Sequence, residues 1–491
     1  MAEQLNSQKQ KVVKGISSQT LITLVIGVME VVIFSIMSRL LSKEDFGLFA
    51  AIAAITVIFN SISEAGIGSA LIQKKDADKE YVNTSFTISF TLGIFFSLIL
   101  LTLSGIISEA LVNSSLKIPL MLMSVTILCN SLTSVNTSIM YRRLEFLQVG
   151  MVNFFALLIS SSVAIVLAVN GMGFEAILAK TILHSLVATV ISYFLARTKF
   201  RFHIAHKDVG SIVNFGGWLT LSIVIRNIAS QADKLLMSKY LSVASLGAYN
   251  RPKEFINTIS SKLNNIFDTA LFPILSSIQD KKDSIKNAYH TSLYYMNIFS
   301  MLLALAFISN GSLIIRIFFG EEWLELIPIF TVLSISLIFN IDGRLCDCFF
   351  RSLALVKYQF FIRLLAFALT IGCLSIGFQW DIIGVAYAVL ISNIIIIFIK
   401  IIIITLKVES SMIIVLRKVL SAWRFTMVMV PIMFISYKFL PTSFLGDFIN
   451  LLVFGAVVLL IFGLFPDMVG KEYKDGAYRT IMNKLKLRLK R

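Results

Sequence analysis

Five basic side chains, Arg226, Arg251, Lys262, Arg344 and Arg363, stand inside or beside stretches of chain that are otherwise long and apolar enough to cross a bilayer. A cation at mid-membrane costs about 2.5–3.5 kcal/mol on insertion scales, so such residues face a protein interior or a wet cavity and mark a pathway. Several cations sharing one interior suit an anion, because guanidinium and ammonium groups are the donors that compensate phosphate charge at low dielectric. Around Arg251 the pattern is dense: Asn250, Asn257 and Asn264 recur every seven residues, and Arg251, Thr258, Lys262 and Asn265 line the adjoining strip of a helix. Arg226, Arg251, Lys253, Lys262, Asn257 and Asn264, with Arg344 and Arg363, are therefore the expected substrate-binding set. The alternative is that Arg251, Lys253 and Lys262 simply pair with Glu254 and Asp268, which leaves one cation in excess. Four embedded carboxylates, Glu30, Glu64, Asp233 and Asp342, are costly unless protonated or paired, which makes them candidates for coupling to a proton or Na⁺ gradient, or members of ion pairs. Lys180 and His184, four apart, read more simply as hydrogen-bonded packing residues than as a proton relay.

The elements that hold these residues follow from composition. The 491 residues are 57% hydrophobic and 15% charged, with a mean hydropathy of +0.84, more apolar surface than a soluble fold can bury. A span needs about 20 apolar residues at 1.5 Å each. That ruler predicts an all-α membrane protein with fourteen transmembrane helices, at 16–41, 46–72, 84–110, 117–140, 148–170, 174–196, 212–238, 246–272, 289–315, 324–349, 358–378, 382–406, 422–440 and 445–465.

With the N-terminus inside, 29 Lys and Arg residues fall in the inner connections and tails, including the run from Lys471 to Arg491, against six in the outer ones. This asymmetry predicts cytoplasmic termini and supports the span count, since one miscounted helix would invert everything after it. It also accounts for most of the +16 net charge, so nucleic acid is not an expected partner, whereas membrane lipid is. The first apolar segment is full length without a small-residue cleavage site, which reads as a retained helix. Cys129, Cys346, Cys348 and Cys373 fall within spans and lack metal or redox spacing, so no metal and no cofactor are expected. The outer connections are too short to form a domain, which places function between helices.

Residues 38–72 laid on 238–272 without a gap match Ser38, Leu41, Ser42, Gly47, Ser61, Ala70 and Leu71 with the residues two hundred positions on. Both blocks lie an even number of spans apart in the same orientation, the mark of a parallel repeat of two six-helix lobes. The expected organisation is an N-lobe at 1–207, a C-lobe at 208–407, and two further helices with a basic tail at 408–491, the site lying between the first two helices of each lobe.

The run Ser38-Arg-Leu-Leu-Ser-Lys-Glu-Asp-Phe-Gly-Leu-Phe49, then Glu64-Ala-Gly-Ile-Gly-Ser-Ala-Leu-Ile-Gln73, resembles the opening of Wzx-type polysaccharide flippases. Gln231-Ala-Asp-Lys234, Leu246-Gly-Ala-Tyr249, Phe272-Pro-Ile-Leu-Ser-Ser-Ile-Gln279 and Phe319-Gly-Glu-Glu-Trp323 resemble later motifs of the same family, in the same order, across residues 15 to 465. The resemblance implies the MATE-like flippase superfamily: two six-helix lobes, two C-terminal helices, and alternating access that carries an undecaprenyl-pyrophosphate-linked oligosaccharide across the bacterial inner membrane. It also implies polymerase and glycosyltransferase partners of the same pathway. Arg226, Arg251, Lys253 and Lys262 match no fixed motif of that family, so their roles rest on their placement. A lipid II flippase, a cation or drug exporter of the same superfamily, and a polysaccharide polymerase or ligase are the alternatives. An exporter of cations would want an acidic or aromatic cavity, and a polymerase a large outer loop with catalytic residues.

Overall fold

A computed structural model describes residues 22–64, 66–74, 78–111, 114–198, 201–441, 443–469 and 474. Among them the secondary structure is helical, with no strand. Helix α1 is Ile22–Leu40. It is followed by α2 (Lys43–Glu64), α3 (Ile67–Gln73), α4 (Lys79–Ala110), α5 (Lys117–Arg142), α6 (Phe146–Val169), α7 (Phe174–Ala196), α8 (His206–Tyr240) and α9 (Val243–Ser277). Then come α10 (Lys282–Ser309), α11 (Gly311–Phe318), α12 (Ile327–Ser352), α13 (Val356–Gly377), α14 (Asp381–Lys407), α15 (Met412–Ala422), α16 (Thr426–Phe439), α17 (Phe444–Leu459) and the short α18 (Pro466–Val469).

Eleven helical stretches of the described residues are long and apolar enough to cross a membrane. One of them, Lys357–Lys407, holds both α13 and α14. Helices α8 and α9, at 35 residues each, are also long enough to cross and stand outside those eleven. Splitting the first and adding the other two restores the fourteen expected spans. Three spans differ in detail. The second is broken, with α2 ending at Glu64 and α3 starting at Ile67 after Gly66, whose φ of 60° is a left-handed conformation that glycine adopts without a Cβ clash. The ninth is divided at Asn310 into α10 and α11. The thirteenth begins earlier than expected, because α15 is helical from Met412.

The parallel repeat is written in the backbone. Ser42 and Asp45 form a capping box at the start of α2, the Ser42 hydroxyl donating to Asp45 Oδ2 at 2.8 Å and accepting from the Asp45 amide at 3.2 Å. Two hundred residues on, Ser242 and Ser245 cap α9 in the same way, at 2.8 and 3.0 Å. Residues of positive φ also recur six spans apart: Leu144 and Ala354, Gly171 and Asp381, Arg197 and Glu409. At the first pair the hydrogen bonds repeat as well, Glu145 N donating to Met140 O at 2.9 Å and Leu355 N to Phe350 O at 2.8 Å.

The chain divides into two compact units, residues 1–250 and 251–491. In the first, α2 packs along α5 and α8, α4 along α5, and α5 and α6 along α7. Its helices are joined by small polar side chains, which bind helices in lipid where apolar contact gives no net drive. Asn130 donates to Asn60 at 3.3 Å, Ser131 to Ser63 at 3.1 Å, and Asn136 to Ser192 at 3.0 Å. In the second unit, α12 packs against α10 and α14, and the C-terminal helices seat Phe425, Met429, Phe454 and Val457 against Tyr294, Ile298 and Met301 of α10. Trp423 Nε1 donates to Asn297 at 3.0 Å, and Tyr294 OH to Val469 O at 3.1 Å, fixing both ends of that contact.

Candidate functional site

The first unit holds Arg226 on α8, where its side chain is exposed, one residue before Asn227, which donates to Ser61 of α2. Asn60, Ser61 and Ser63 of α2 are each taken up by a neighbouring helix. Asp233 is 3% exposed and accepts from the buried Tyr249 hydroxyl at 2.8 Å, which ties α8 to the start of α9. Glu30 of α1 is half-buried and, with Lys180, acts electrostatically on His184 of α7. Glu64 is the last residue of α2, half-buried at the Gly66 break, and no hydrogen bond or ion pair reaches it among the described residues. Of the two acidic candidates in this unit's first two helices, Glu64 alone stands at interrupted backbone, the setting in which membrane helices expose groups to a cavity.

In the second unit Arg251 is 5% exposed and forms an ion pair with Glu254 one turn along α9, at 3.3 Å. Lys253 is half-buried and Asn257 exposed on the same helix. The side chains of Lys262 and Asn264 lie outside the described residues.

The expected set included Arg344, but sequence reasoning missed the polar groups that surround it. A cavity of about 130 Å³ opens between α12 and α14, walled by Phe339, Ile396 and Ile397 and lined by Asn340, Arg344, Asp347, Asn393 and Lys400. Lys400 Nζ donates to Asp347 Oδ1 at 2.8 Å and to Gly343 O at 3.3 Å. Asn393 donates to Ser336 Oγ at 2.8 Å, which holds its amide in place and leaves its carbonyl oxygen for the cavity. Arg344 makes no hydrogen bond or ion pair among the described residues, and Arg363 of α13 acts electrostatically on Asp347. Asp342, one turn before Cys346 on the same helix, points elsewhere: it is 5% exposed, its Oδ1 has no partner among the described residues, and it lies in electrostatic reach of Tyr289. The signal for Lys400 was present as a single cation in the run Ile394-Ile-Ile-Ile-Phe-Ile-Lys-Ile-Ile-Ile-Ile404. It stands seven residues after Asn393, as Asp347 stands seven after Asn340, so each helix turns one polar stripe toward the other.

The cavity thus gathers two cations, one already paired anion and amide groups on two facing helices. No group of three or more His, Cys, Asp or Glu suited to a metal occurs among the described residues.

The model of a family described as polysaccharide biosynthesis protein matches residues 36–328. The chain is 25% identical over 378 residues to the lipopolysaccharide biosynthesis protein WzxC of Escherichia coli (strain K12), covering 76% of each chain. It is 21% identical to the teichuronic acid biosynthesis protein TuaB of Bacillus subtilis (strain 168), over 66% of this chain and 68% of that one. Among solved structures, the lipid II flippase MurJ in an inward closed conformation superposes with a TM-score of 0.72 at 15% identity, covering 91% of this chain and 98% of that one. An inward-facing multidrug resistance transporter of the MATE family gives 0.63 at 15% identity, over 80% and 94%. These two likenesses establish a shared all-helical fold.

Proposed function

This chain belongs to the polysaccharide biosynthesis protein family, and from that premise we propose that it is a flippase. It carries undecaprenyl-pyrophosphate-linked oligosaccharide repeat units across the bacterial inner membrane by alternating access, for assembly of a surface polysaccharide. The observation that carries the reading is a set of embedded cations, Arg344 and Lys400 foremost, that outnumber the carboxylate beside them in a multi-pass chain of that family. A diphosphate crossing a low-dielectric path needs such compensation. A cation exporter of the same fold has no use for it.

Both termini are cytoplasmic on this reading, so labels on cysteines placed at Ile204 and Ser284 should react from inside and one at Met172 from outside. The protein makes and breaks no bond, and works beside the polymerase and glycosyltransferases of its pathway. Glu64, unpaired at a helix break, is the leading residue for gradient coupling, ahead of Glu30 and Asp342, while Asp233 is engaged by Tyr249. Proteoliposomes loaded with a fluorescent undecaprenyl-pyrophosphate oligosaccharide and quenched from outside test the function. Net transfer that rises with an imposed gradient supports it, and transfer of lipid II in place of that substrate overturns it. Retention of the gradient response by Glu64→Gln would remove Glu64 from the coupling role.

A further inference from the structure

We infer that the cavity between α12 and α14 is a phosphate-binding subsite, with Arg344 as its anion receptor and Lys400 as a second donor that Asp347 holds in reserve. The inference rests on the flippase reading and names where the charged part of the cargo is held.

Charge balance is the first argument. Lys400 and Asp347 neutralise each other at 2.8 Å, so the guanidinium of Arg344 is left without a counter-charge among the described residues lining the cavity. An unmatched cation at membrane depth persists where water or an anion reaches it. The planar fork of Arg offers parallel donors that match phosphate oxygens, and Lys adds a point charge from the facing helix. Asn340 and the carbonyl of Asn393 supply neutral groups for a hydroxyl beside the phosphate.

Depth is the second argument. Arg344 lies eight residues before Ser352, the end of α12, and Lys400 seven before Lys407, the end of α14. At 1.5 Å per residue both sit about 10–12 Å along their helices from ends on the same side, inside spans that are longer than the roughly 30 Å hydrocarbon core. A phospholipid headgroup rests at the interface and would have to be drawn inward to reach them, whereas the pyrophosphate of a translocated lipid must pass this depth. The ion pair is also reversible by design of its geometry: Lys400 has a long flexible stem, and its ammonium keeps the Gly343 carbonyl as a partner when Asp347 is released.

The test uses the full chain in phosphatidylcholine nanodiscs, titrated in one arm with undecaprenyl pyrophosphate and in the other with phosphatidylglycerol, with bound lipid counted by native mass spectrometry. Arg344→Gln should weaken binding about tenfold, as for loss of one charge-assisted hydrogen bond. The charge-balanced Lys400→Gln/Asp347→Asn should do the same, and Asp347→Asn alone should tighten binding because it frees Lys400. These changes in the first arm assign the site to the carried molecule, and in the second to a phospholipid headgroup. Wild-type affinity for all three variants in both arms overturns the inference, and leaves the flippase reading standing if the wild type still binds undecaprenyl pyrophosphate. No binding of that lipid by the wild type sinks the reading itself. Arg344→Gln keeps the test decisive if the other variants misfold, since Arg344 has no hydrogen-bond or ion-pair partner among the described residues to orphan.

Discussion

Gly47 of α2 and Gly247 of α9 lie where the two helices cross, each against the other's backbone. A Cβ on Gly47 would stand 1.9 Å from Val243 O, and one on Gly247 1.8 Å from Lys43 O. The contact is symmetric under the same shift of two hundred residues that relates Ser42 to Ser242, so the repeat read in the sequence is also a pseudo-two-fold crossing. No side chain can turn away from a backbone carbonyl, so Gly47→Ala or Gly247→Ala must part the helices. Each should lower stability by about 1–3 kcal/mol, the range for overpacking, and reduce glycan export, read as a lower melting temperature in detergent. Gly455→Ala in α17, where an added Cβ meets nothing within 4 Å, should keep or slightly raise it.

That crossing shows what a sequence of this type discloses. Length and apolarity located most of the spans, and repeated Ser, Gly and Leu gave the register between halves, because both depend on residues close in the chain or on a constant offset. The breaks were less visible. Gly66 sits in an apolar run that a hydropathy ruler crosses without notice, and Asn310 is one polar residue between two helical turns. The site suffered most. Helical periodicity tells which residues share a face, but not which neighbour that face meets. Asn60, Ser61 and Ser63, polar side chains near the end of α2, turn out to be helix-to-helix bonds. Lys400, alone among isoleucines, gave no stripe of its own until α12 supplied Asp347.

Asp447 of α17 joins the C-terminal helices to α11. It accepts from Arg316 Nε at 2.9 Å and from Ser312 Oγ at 2.5 Å, with the Arg316 and Asp447 side chains only 15% and 12% exposed. Arg316→Leu should cost about 3 kcal/mol, the lower end of the range for breaking a buried pair. It leaves Asp447 with a hydroxyl alone. Asp447→Leu should cost less, because Arg316 keeps Glu321 at 2.6 Å. The double variant should be more stable than Arg316→Leu, and thermal unfolding of the three proteins measures the coupling.

Lys282 and Glu409 tie the start of α10 to the turn after α14 at 2.5 Å, on the surface. The hydrogen bond from Lys282, with its charge, holds the Glu409 carboxyl below its ordinary value of 4.5. A carboxylate depressed in the folded state contributes stability above its unfolded pKa, and that contribution fades as pH falls from 4.5 through the folded value. Wild type should therefore melt slightly above Glu409→Gln at neutral pH. The gap should close in acid, and also in high salt, because an exposed pair is screened.

Arg251 separates a substrate role from a packing role. It is buried on α9 and paired with Glu254, whose side chain is 49% exposed. If the pair only balances charge, removing both partners restores what removing one destroys. If Arg251 meets the cargo, it does not. Arg251→Gln should lower glycan export about tenfold or more while the protein inserts at normal levels, the loss of a charge-assisted contact. Arg251→Lys should be milder, since charge is kept and the planar fork is lost. The Arg251→Gln/Glu254→Gln protein should export no better than Arg251→Gln. Recovery in that double variant, or full export by a chain with Arg226, Arg251 and Lys262 all neutralised, would make these cations structural and leave the α12–α14 cavity as the remaining cationic site in the second unit.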